Sequence, residues 1–470
     1  MKNKVYLIGA GPGSPGLITV RADTILRQAD VIIYDYLVDK RILEVAKPDA
    51  ELICSDIPGK KRYADDFLKC NERIGQLLIK KVKSGKKVVH LKNGDVSIFS
   101  RLSQELGAFI KENIEFEIVP GVTAASAASA FSGIPLTDRR FTSSCVFVTG
   151  HEDPSKKQST LDWNILSQSG TMVLYMAIEN LENITKELIL AGNSLDTPVA
   201  IIQDASLLTQ RLLLGTLKDI AQKAKKQKII PPAIVIIGKV VESEKDFNWL
   251  KKTKRILFTG ISPERFFEKG FIFHLPLIKI VPLENYHQLD SALKEISKYD
   301  WLVFTSRYGV EYFFKHLNSI GFDARKFSQA KVAAIGNSTC NRLLDFGIIA
   351  DLVPEEESSI GLIKAFRNFD IKNKKIFMPR SDLSDKGLAK ALEEQGALVD
   401  SFEAYKNVIP EYLPDLDFKY FDEIIFTSPS GVKNFIKRYK KLPAKVKITC
   451  IGNITAKELR KWKAKSQQKT

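Results

Sequence analysis

The sequence predicts an α/β protein on three observations: short β-branched runs bounded by Gly, Pro or Asp, amphipathic stretches between them, and alternation of the two along the whole chain. The runs are Lys4–Ile8 (KVYLI), Val31–Tyr34 (VIIY), Lys87–Leu91 (KVVHL), Cys145–Val148 (CVFV), Thr171–Tyr175 (TMVLY) and Ala233–Ile237 (AIVII). With 470 residues the chain is long enough for several domains. Hydrophobic residues at 44% and charged residues at 27% fit a globular protein rather than a disordered one. No apolar run approaches the ~20 residues of a membrane helix. The start, MKNKVYLIGAGPG, turns glycine-rich too early for a signal peptide. The expectation is a cytoplasmic protein with no membrane partner.

Cys54, Cys70, Cys145, Cys340 and Cys450 are scattered and odd in number, which argues against a disulfide framework or a structural zinc site. The histidines show neither HxxxH nor HExxH spacing, so no metal is expected. Lys plus Arg number 71 against 55 Asp plus Glu, a net charge of +16. That excess reads as a lysine-rich solvated surface or as attraction for polyanions. It comes with no nucleic-acid motif, so no nucleic-acid partner is expected.

The charged stretch Val241–Lys254 (VESEKDFNWLKKTK) lacks an apolar period and separates two strand-like runs, which puts a domain boundary there. The second half repeats itself. Phe304-Thr-Ser-Arg-Tyr-Gly-Val310 resembles Phe426-Thr-Ser-Pro-Ser-Gly-Val432, and Ile335-Gly-Asn-Ser-Thr339 resembles Ile451-Gly-Asn-Ile-Thr455. Each match is a strand entering a hydroxyl-rich turn and then a helix, which suggests two similar α/β lobes. Ser306, Thr339, Ser428 and Thr455 then mark helix N-termini. They either cap their own helices or present N–H groups to carboxylates across a cleft.

In the first half, the opening strand runs into Gly9-Ala-Gly-Pro-Gly-Ser-Pro-Gly16. A glycine-rich turn after a first strand suggests close approach of backbone to a nucleotide-like ligand. Pro12 and the position of Gly16 depart from the dinucleotide pattern, although Asp35 could serve a Rossmann dehydrogenase as its ribose-binding acid.

The loop does not stand alone. GAGPGSPGLITVRA, ADVIIYDYLV, VVHLKNGDVSIFSR, EIVPGVTAASAASAFSGIPLT, FVTGH and LYMAIENL follow in order, and together resemble the tetrapyrrole methylase family, most closely its uroporphyrinogen-III C-methyltransferases. The resemblance implies two α/β subdomains, S-adenosylmethionine as cofactor, and a homodimer through this half. It implies cofactor contacts at Pro12, Asn93, Gly94, Asp95, Ile98, Thr123, Ala124, Met176 and Ala205. Without it, Met176 reads equally as a core methionine. Asp35 matches the family's substrate-site aspartate, as a proton acceptor or as a partner of pyrrole N–H groups; by itself it also reads as a strand-end cap. Arg101 matches the arginine of the FGR element.

Some positions depart from the family. GGDP reads Asn93-Gly94-Asp95-Val96, FGRGGEE reads Phe99-Ser-Arg-Leu-Ser-Gln-Glu105, and Ala205 replaces a glycine. GKR falls on Asp56-Ile57-Pro58, which removes a lysine that Lys60 or Lys61 could replace.

Residues 255–462 resemble the uroporphyrinogen-III synthase family through WLVFTS, AIGNST, VPEEESSIGLI, FMPR, ALVDSFEAYKNV, IFTSPSG and IGNIT. The implied fold is two lobes joined by paired strands, PLIKIVPL and EAYKNVIP. The expected domains are 1–245 and 253–470, with lobe one at 255–277 plus 408–470 and lobe two at 284–404. The implied substrate is hydroxymethylbilane, with no cofactor. Tyr405 matches the family's tyrosine, able to donate to the leaving hydroxyl, or reads as an aromatic in a linking strand. Gly260 stands where the family often has arginine, and the family commonly continues with a strand and helix beyond Thr470. The expected function is therefore bifunctional: cyclisation to uroporphyrinogen III and its C-methylation towards precorrin-2 for sirohaem or cobalamin. The alternative is an active synthase beside a degenerate methylase half.

Overall fold

The computed structural model describes residues 4–55, 64–151 and 160–467 and builds them on four sheets. Positions 56–58, 60 and 61, where the family lysine was sought, lie outside the described residues. The first sheet contains β1 (Lys4–Gly9), β2 (Val31–Tyr34), β3 (Glu51–Cys54), β4 (Val88–Lys92) and β5 (Glu115–Val119). Its order is β3-β2-β4-β1-β5, with every pairing parallel. Parallel sheets carry crossovers on both faces, so their strands read as near-continuous apolar runs. VIIY in β2 obeys this. β4 breaks it: VVHLK is buried at every position. His90 and Lys92 lie two residues apart and so project from the same side of the strand.

The second sheet holds β6 (Cys145–Thr149), β7 (Thr171–Tyr175), β8 (Pro198–Gln203), β9 (Arg211–Thr216) and β10 (Ala233–Ile237). It runs β6-β7-β10-β8-β9 and is antiparallel except between β6 and β7. The alanine-rich helix Ala124–Ser132 packs Ala125, Ala127 and Ala128 against Val173, Ala200, Ile202 and Ile236. Small side chains let it lie close to the sheet.

The connecting stretch is packed rather than loose. It forms helical turns Lys239–Ser243, Glu244–Phe247 and Trp249–Lys252. Buried Glu244 is held by Lys251 at 2.5 Å and Asn248 at 2.7 Å. Trp249 donates Nε1–H to Ala130 O at 2.8 Å, and its ring forms a trio with Phe131 and Phe271, all centroids 5.7 Å apart. The segment buries single residues against different neighbours, which leaves no stripe for a periodicity to reveal.

The second half is built on β11 (Arg255–Phe258), β12 (Phe271–His274), β13 (Lys279–Val281), β14 (Trp301–Phe304), β15 (Lys331–Ala334), β16 (Lys375–Ser381), β17 (Leu398–Val408), β18 (Glu423–Phe426) and β19 (Lys447–Cys450). One lobe has the parallel order β12-β11-β18-β19, and the other β13-β17-β16-β14-β15. β17 does two jobs. Its first part pairs parallel with β16, and its last residues pair antiparallel with β13. That ribbon carries the chain between lobes. The β16–β17 register slips between Arg380 and Ser381, so Glu403 faces Arg380 while Tyr405 faces Ser381. Such a bulge re-aims the side chain that follows it, here Tyr405.

The two halves touch along a seam. Arg41 lies over the Phe273 ring at 4.3 Å, Lys40 over Tyr412 at 5.4 Å, and Lys279 pairs with Glu44 at 2.7 Å. Leu208 packs on the first lobe's core around Leu257 and Phe426. Among the described residues no helix is long and apolar enough to cross a membrane.

Candidate functional sites

In the first half the C-terminal ends of β1, β2 and β4 converge, as ligand sites in parallel sheets do. Asp35 follows β2; its backbone N–H donates to Leu91 O at 3.1 Å, tying it to β4. Its carboxylate accepts from Ser55 Oγ at 3.3 Å and from the Asn93 backbone N–H. It faces His90 Nε2 at 3.6 Å, a charge contact too long for a hydrogen bond. On the other side of the imidazole, Nδ1 meets Glu105 Oε2 at 2.9 Å. Lys92 pairs with the second Glu105 oxygen.

Asp35, His90, Glu105 and Lys92 thus form a chain of alternating charge. His90 is 2% exposed, while the Asp35 side chain keeps 30% of its surface open. Burial pushes the His90 pKa down, but Glu105 and Asp35 outweigh it and raise it to about 9. Burial pushes Glu105 up, and His90 and Lys92 overcome that to leave it below the usual carboxylate range. For Asp35 burial again raises, and His90, Lys92 and the Asn93 N–H hold the net value low. At neutral pH the chain therefore ends in an anionic carboxylate that balances the net positive charge of a buried scaffold.

Beside it the glycine loops make a cradle. The Gly11 and Gly94 backbones exchange hydrogen bonds at 3.1 and 2.8 Å. A Cβ on Gly121 would lie 2.3 Å from Gly94 O and 2.8 Å from the Gly9 backbone. Three chain segments therefore meet with no space between them. By contrast, a Cβ at Gly94, whose φ is +69°, would meet only Ala124 N at 3.8 Å, so the cradle opens on that side. Gly121→Ala should overpack this junction and destabilise the half by about 1–3 kcal/mol, read as a lowered thermal midpoint; an unchanged midpoint would refute the close approach.

Each residue expected at the cofactor has a definite place. Asp95 spends its carboxylate on Ser97 N (2.8 Å), Ser97 Oγ and Gly121 N (2.8 Å), so it pins the loop. Asn93 does not have a positive φ, so a side chain costs no backbone strain there. Val96 is fully buried in the core, and Ile98 is half-buried, its N–H on Asp95 O at 3.4 Å. Half-buried Pro12 is followed by Gly13, packed on Leu207, and by Ser14, whose N–H reaches Ser206 Oγ at 3.3 Å. Ala205 lies buried between Asp204 and Ser206, both at positive φ. Thr123, preceding Ala124, hydrogen-bonds Tyr175 OH at 2.6 Å. Met176 is 53% exposed at φ +53°, which rules out a core methionine. Phe99 and Phe147 flank Tyr175 with centroids at 5.0 and 5.8 Å, both partly exposed, and Arg101 is exposed at φ +62°. Strained non-glycine residues clustered on one cleft are typical of functional sites.

In the second half, Ser306 Oγ hydrogen-bonds Tyr405 OH at 2.8 Å and accepts from Gly309 N at 2.9 Å. Tyr405 is buried, and that burial raises its pKa, with Ser306 and Ser381 pulling the other way. Its proton stays on. Ser428 caps its own helix through Gly431 N at 3.1 Å. Thr339 and Thr455 are both buried, away from any open lip. The helix N-terminus at Asn337 is already attended by Glu357, which accepts from Asn337 Nδ2 at 2.7 Å. The structure brings Ser306 and Tyr405 together but does not join Thr339 or Thr455 to them. Gly260 sits so close to Thr427 that a Cβ would lie 2.5 Å from Oγ1, leaving no room for a larger residue.

Sequence reasoning missed His90, Lys92, Glu105 and Tyr175. The signal for the first two was present: charged residues two apart inside an otherwise apolar strand.

Comparison with known proteins matches both halves. The family described as Tetrapyrrole (Corrin/Porphyrin) Methylases matches residues 4–221, and the one described as Uroporphyrinogen-III synthase HemD matches residues 266–468. A porphyrin biosynthesis protein HemD from Ruminiclostridium josui is 33% identical over 97% of this chain and 93% of its own. An S-adenosyl-L-methionine-dependent uroporphyrinogen III methyltransferase from Methanosarcina barkeri is 43% identical over 51% of this chain and 92% of its own. Among solved structures, the uroporphyrin-III C-methyl transferase of Thermus thermophilus complexed with S-adenyl homocysteine is 32% identical, covers 51% of this chain and 99% of its own, and has a TM-score of 0.44.

Proposed function

The chain belongs to the tetrapyrrole methylase family through its first half and to the uroporphyrinogen-III synthase family through its second, and from that premise we propose how its residues divide two consecutive reactions. It is a bifunctional enzyme of tetrapyrrole biosynthesis, with methyltransferase and synthase domains, expected to meet near residues 245–253. The observation that carries the site assignment is the buried charge chain ending in the open carboxylate of Asp35 beside the glycine cradle.

S-adenosylmethionine fits that cradle. Backbone is bare at Gly94, apolar surface is exposed at Met176 and Phe99, and the loops at Pro12, Thr123-Ala124 and Ala205 border it. When bound, the cofactor supplies an electrophilic methyl group on a sulfonium. Asp35 accepts hydrogen bonds from pyrrole N–H groups of uroporphyrinogen III, orients the reacting carbon, and stabilises the positive charge that appears as the new C–C bond forms. The pyrrole then gives up one proton, for which the carboxylate is the nearest acceptor. Arg101, at the exposed lip, meets substrate carboxylates.

In the synthase half no cofactor is called for. Tyr405, still protonated, donates through Ser306 to the departing hydroxyl of hydroxymethylbilane, which leaves as water while the last ring inverts and the macrocycle closes; the proton that the attacking pyrrole carbon loses as aromaticity returns restores the Tyr405 hydroxyl. Tyr405→Phe should lower the cyclisation rate about a hundredfold with little change in KM, measured on the unmethylated product. An unaltered rate would remove Tyr405 from the chemistry.

The fusion suits an unstable intermediate, because a tethered second site acts at high effective concentration. A homodimer through the methylase half is the assembly that the family resemblance implies. The deciding assay incubates the whole chain with hydroxymethylbilane, with and without S-adenosylmethionine. Uroporphyrinogen III without the cofactor and methylated products with it are expected. Failure to invert the last ring would sink the synthase assignment, and failure to methylate would sink the other.

A further inference from the structure

Arg307 opens the helix Arg307–Ser319 beside Ser306, yet it reaches out of its own lobe. Its Nη2 donates to Ser262 Oγ, on the loop that follows β11 in the opposite lobe, and to Tyr308 OH at 2.8 Å. The guanidinium lies over the Tyr308 ring at 4.9 Å. Half-buried between lobes, it pairs with no carboxylate of the described residues. Arg41, Arg140, Arg325 and Arg438, by contrast, each pair with an aspartate at 2.6–2.7 Å.

A second guanidinium is similarly placed. Arg380 sits just before the bulge that aims Tyr405, donates to the Asp385 backbone carbonyl, and buries an Nε without a partner. The Asp385 charge lies near Arg380, but Arg307, a partly desolvated cation facing only neutral groups, is costly unless an anion completes it. The planar guanidinium fork matches a carboxylate in bidentate fashion. Gly260, at the opposite strand end, has no room for a larger side chain.

We propose that Arg307 is a substrate-binding residue of the synthase cleft, gripping a carboxylate of a linear polycarboxylate tetrapyrrole by exchanging the Ser262 hydroxyl for it, with Arg380 as a second anchor beside Tyr405. This rests on the synthase reading above. Two acids lie near this group of residues: Asp385, beside Arg380, and Asp382, beside Tyr405, whose carboxylate accepts from Asn407 N at 2.9 Å and so is spent on the ribbon. The closing contact to Ser262 is thus a placeholder that the substrate replaces, which brings the lobes together on the ligand.

The test is steady-state cyclisation of hydroxymethylbilane by the full chain without S-adenosylmethionine. Arg307→Gln should raise KM at least about tenfold while kcat changes less than about threefold, and Arg307→Lys should recover part of the loss. Ser262→Ala should leave KM unchanged or lower it, since it removes only the competitor. Equal rises in KM for Ser262→Ala and Arg307→Gln would instead mean an inter-lobe clasp and overturn the proposal, as would an Arg307→Gln KM equal to that of the unaltered chain. If Arg307→Gln does not fold, Arg307→Lys carries the same comparison. Inactivity of the unaltered chain would remove the synthase reading and this proposal together. Failure of the proposal alone is recognised by an active unaltered chain that the variant matches.

Discussion

Asp35→Asn slows methyl transfer by about 10²–10⁴-fold in a single-turnover assay with uroporphyrinogen III and labelled S-adenosylmethionine, while cofactor affinity stays within about threefold. The size follows from position. Asp35 is the one member of the charge chain with substantial open surface; His90 and Lys92 hold it ionised, and Glu105 in turn holds those two. Asparagine keeps the shape and an acceptor oxygen but loses the charge that balances a cationic pyrrole. Because the carboxylate is held below its ordinary pKa, the unaltered chain should keep a flat rate from neutrality down to the usual carboxylate range. A variant as fast as the parent would mean that the carboxylate only ties β2 to β4.

Glu105→Gln has the largest expected effect on stability. It takes one acid from a buried set of two acids and two bases and leaves His90 and Lys92 sharing Asp35. Breaking such a pair from one side costs about 3–5 kcal/mol. For a half of this size that lowers the thermal midpoint by roughly 10 °C. The pH dependence has two limbs. His90, raised to about 9, contributes stability that is complete below its unfolded value near 6.5 and is lost as pH climbs through about 9. Glu105, depressed, contributes stability that is present above its unfolded value near 4.3 and is lost as pH falls through the folded one. The set is therefore tightest between roughly pH 4.5 and 6.5. In Glu105→Gln the alkaline loss should flatten, because His90 no longer has a strong reason to hold its proton. Melting curves at pH 6 and pH 9.5 check this, and parallel curves for parent and variant would show that the set carries no net stability.

Much of this was legible in the residues. β2, β7 and β10 occupy the stretches that their β-branched runs mark, and the glycine-rich stretch after β1 forms a loop, whereas the contact of Ser306 with Tyr405 was signalled by neither motif nor repeat. What was not legible depends on three-dimensional company. Nothing local to Glu105 says that it reaches β4. The one-residue slip that turns Tyr405 towards Ser381 exists only in the pairing of two strands. Thr339 and Thr455, matched with each other in the repeat, marked helix N-termini as Ser306 did, but both are buried, and Glu357 arrives at the first helix from a loop twenty residues on. Asn93 and Val96 looked like damage to a cofactor loop; one has a backbone conformation open to any residue, and the other fills the core.

The seam has a mechanical consequence. The methylase half is fastened to β12 through Phe271 and Phe273 and to the ribbon through Lys279; among the described residues, none of the ring stackings and ion pairs described above links it to β14, β15 or β16. One lobe of the synthase is thus fastened to the methylase half over several contacts, and the other meets it at the β13 edge of its sheet through Lys279. The aromatic and cationic contacts of the seam gather on that first lobe, so the methyl-transfer half shares its footing with one side of the synthase cleft far more than with the other.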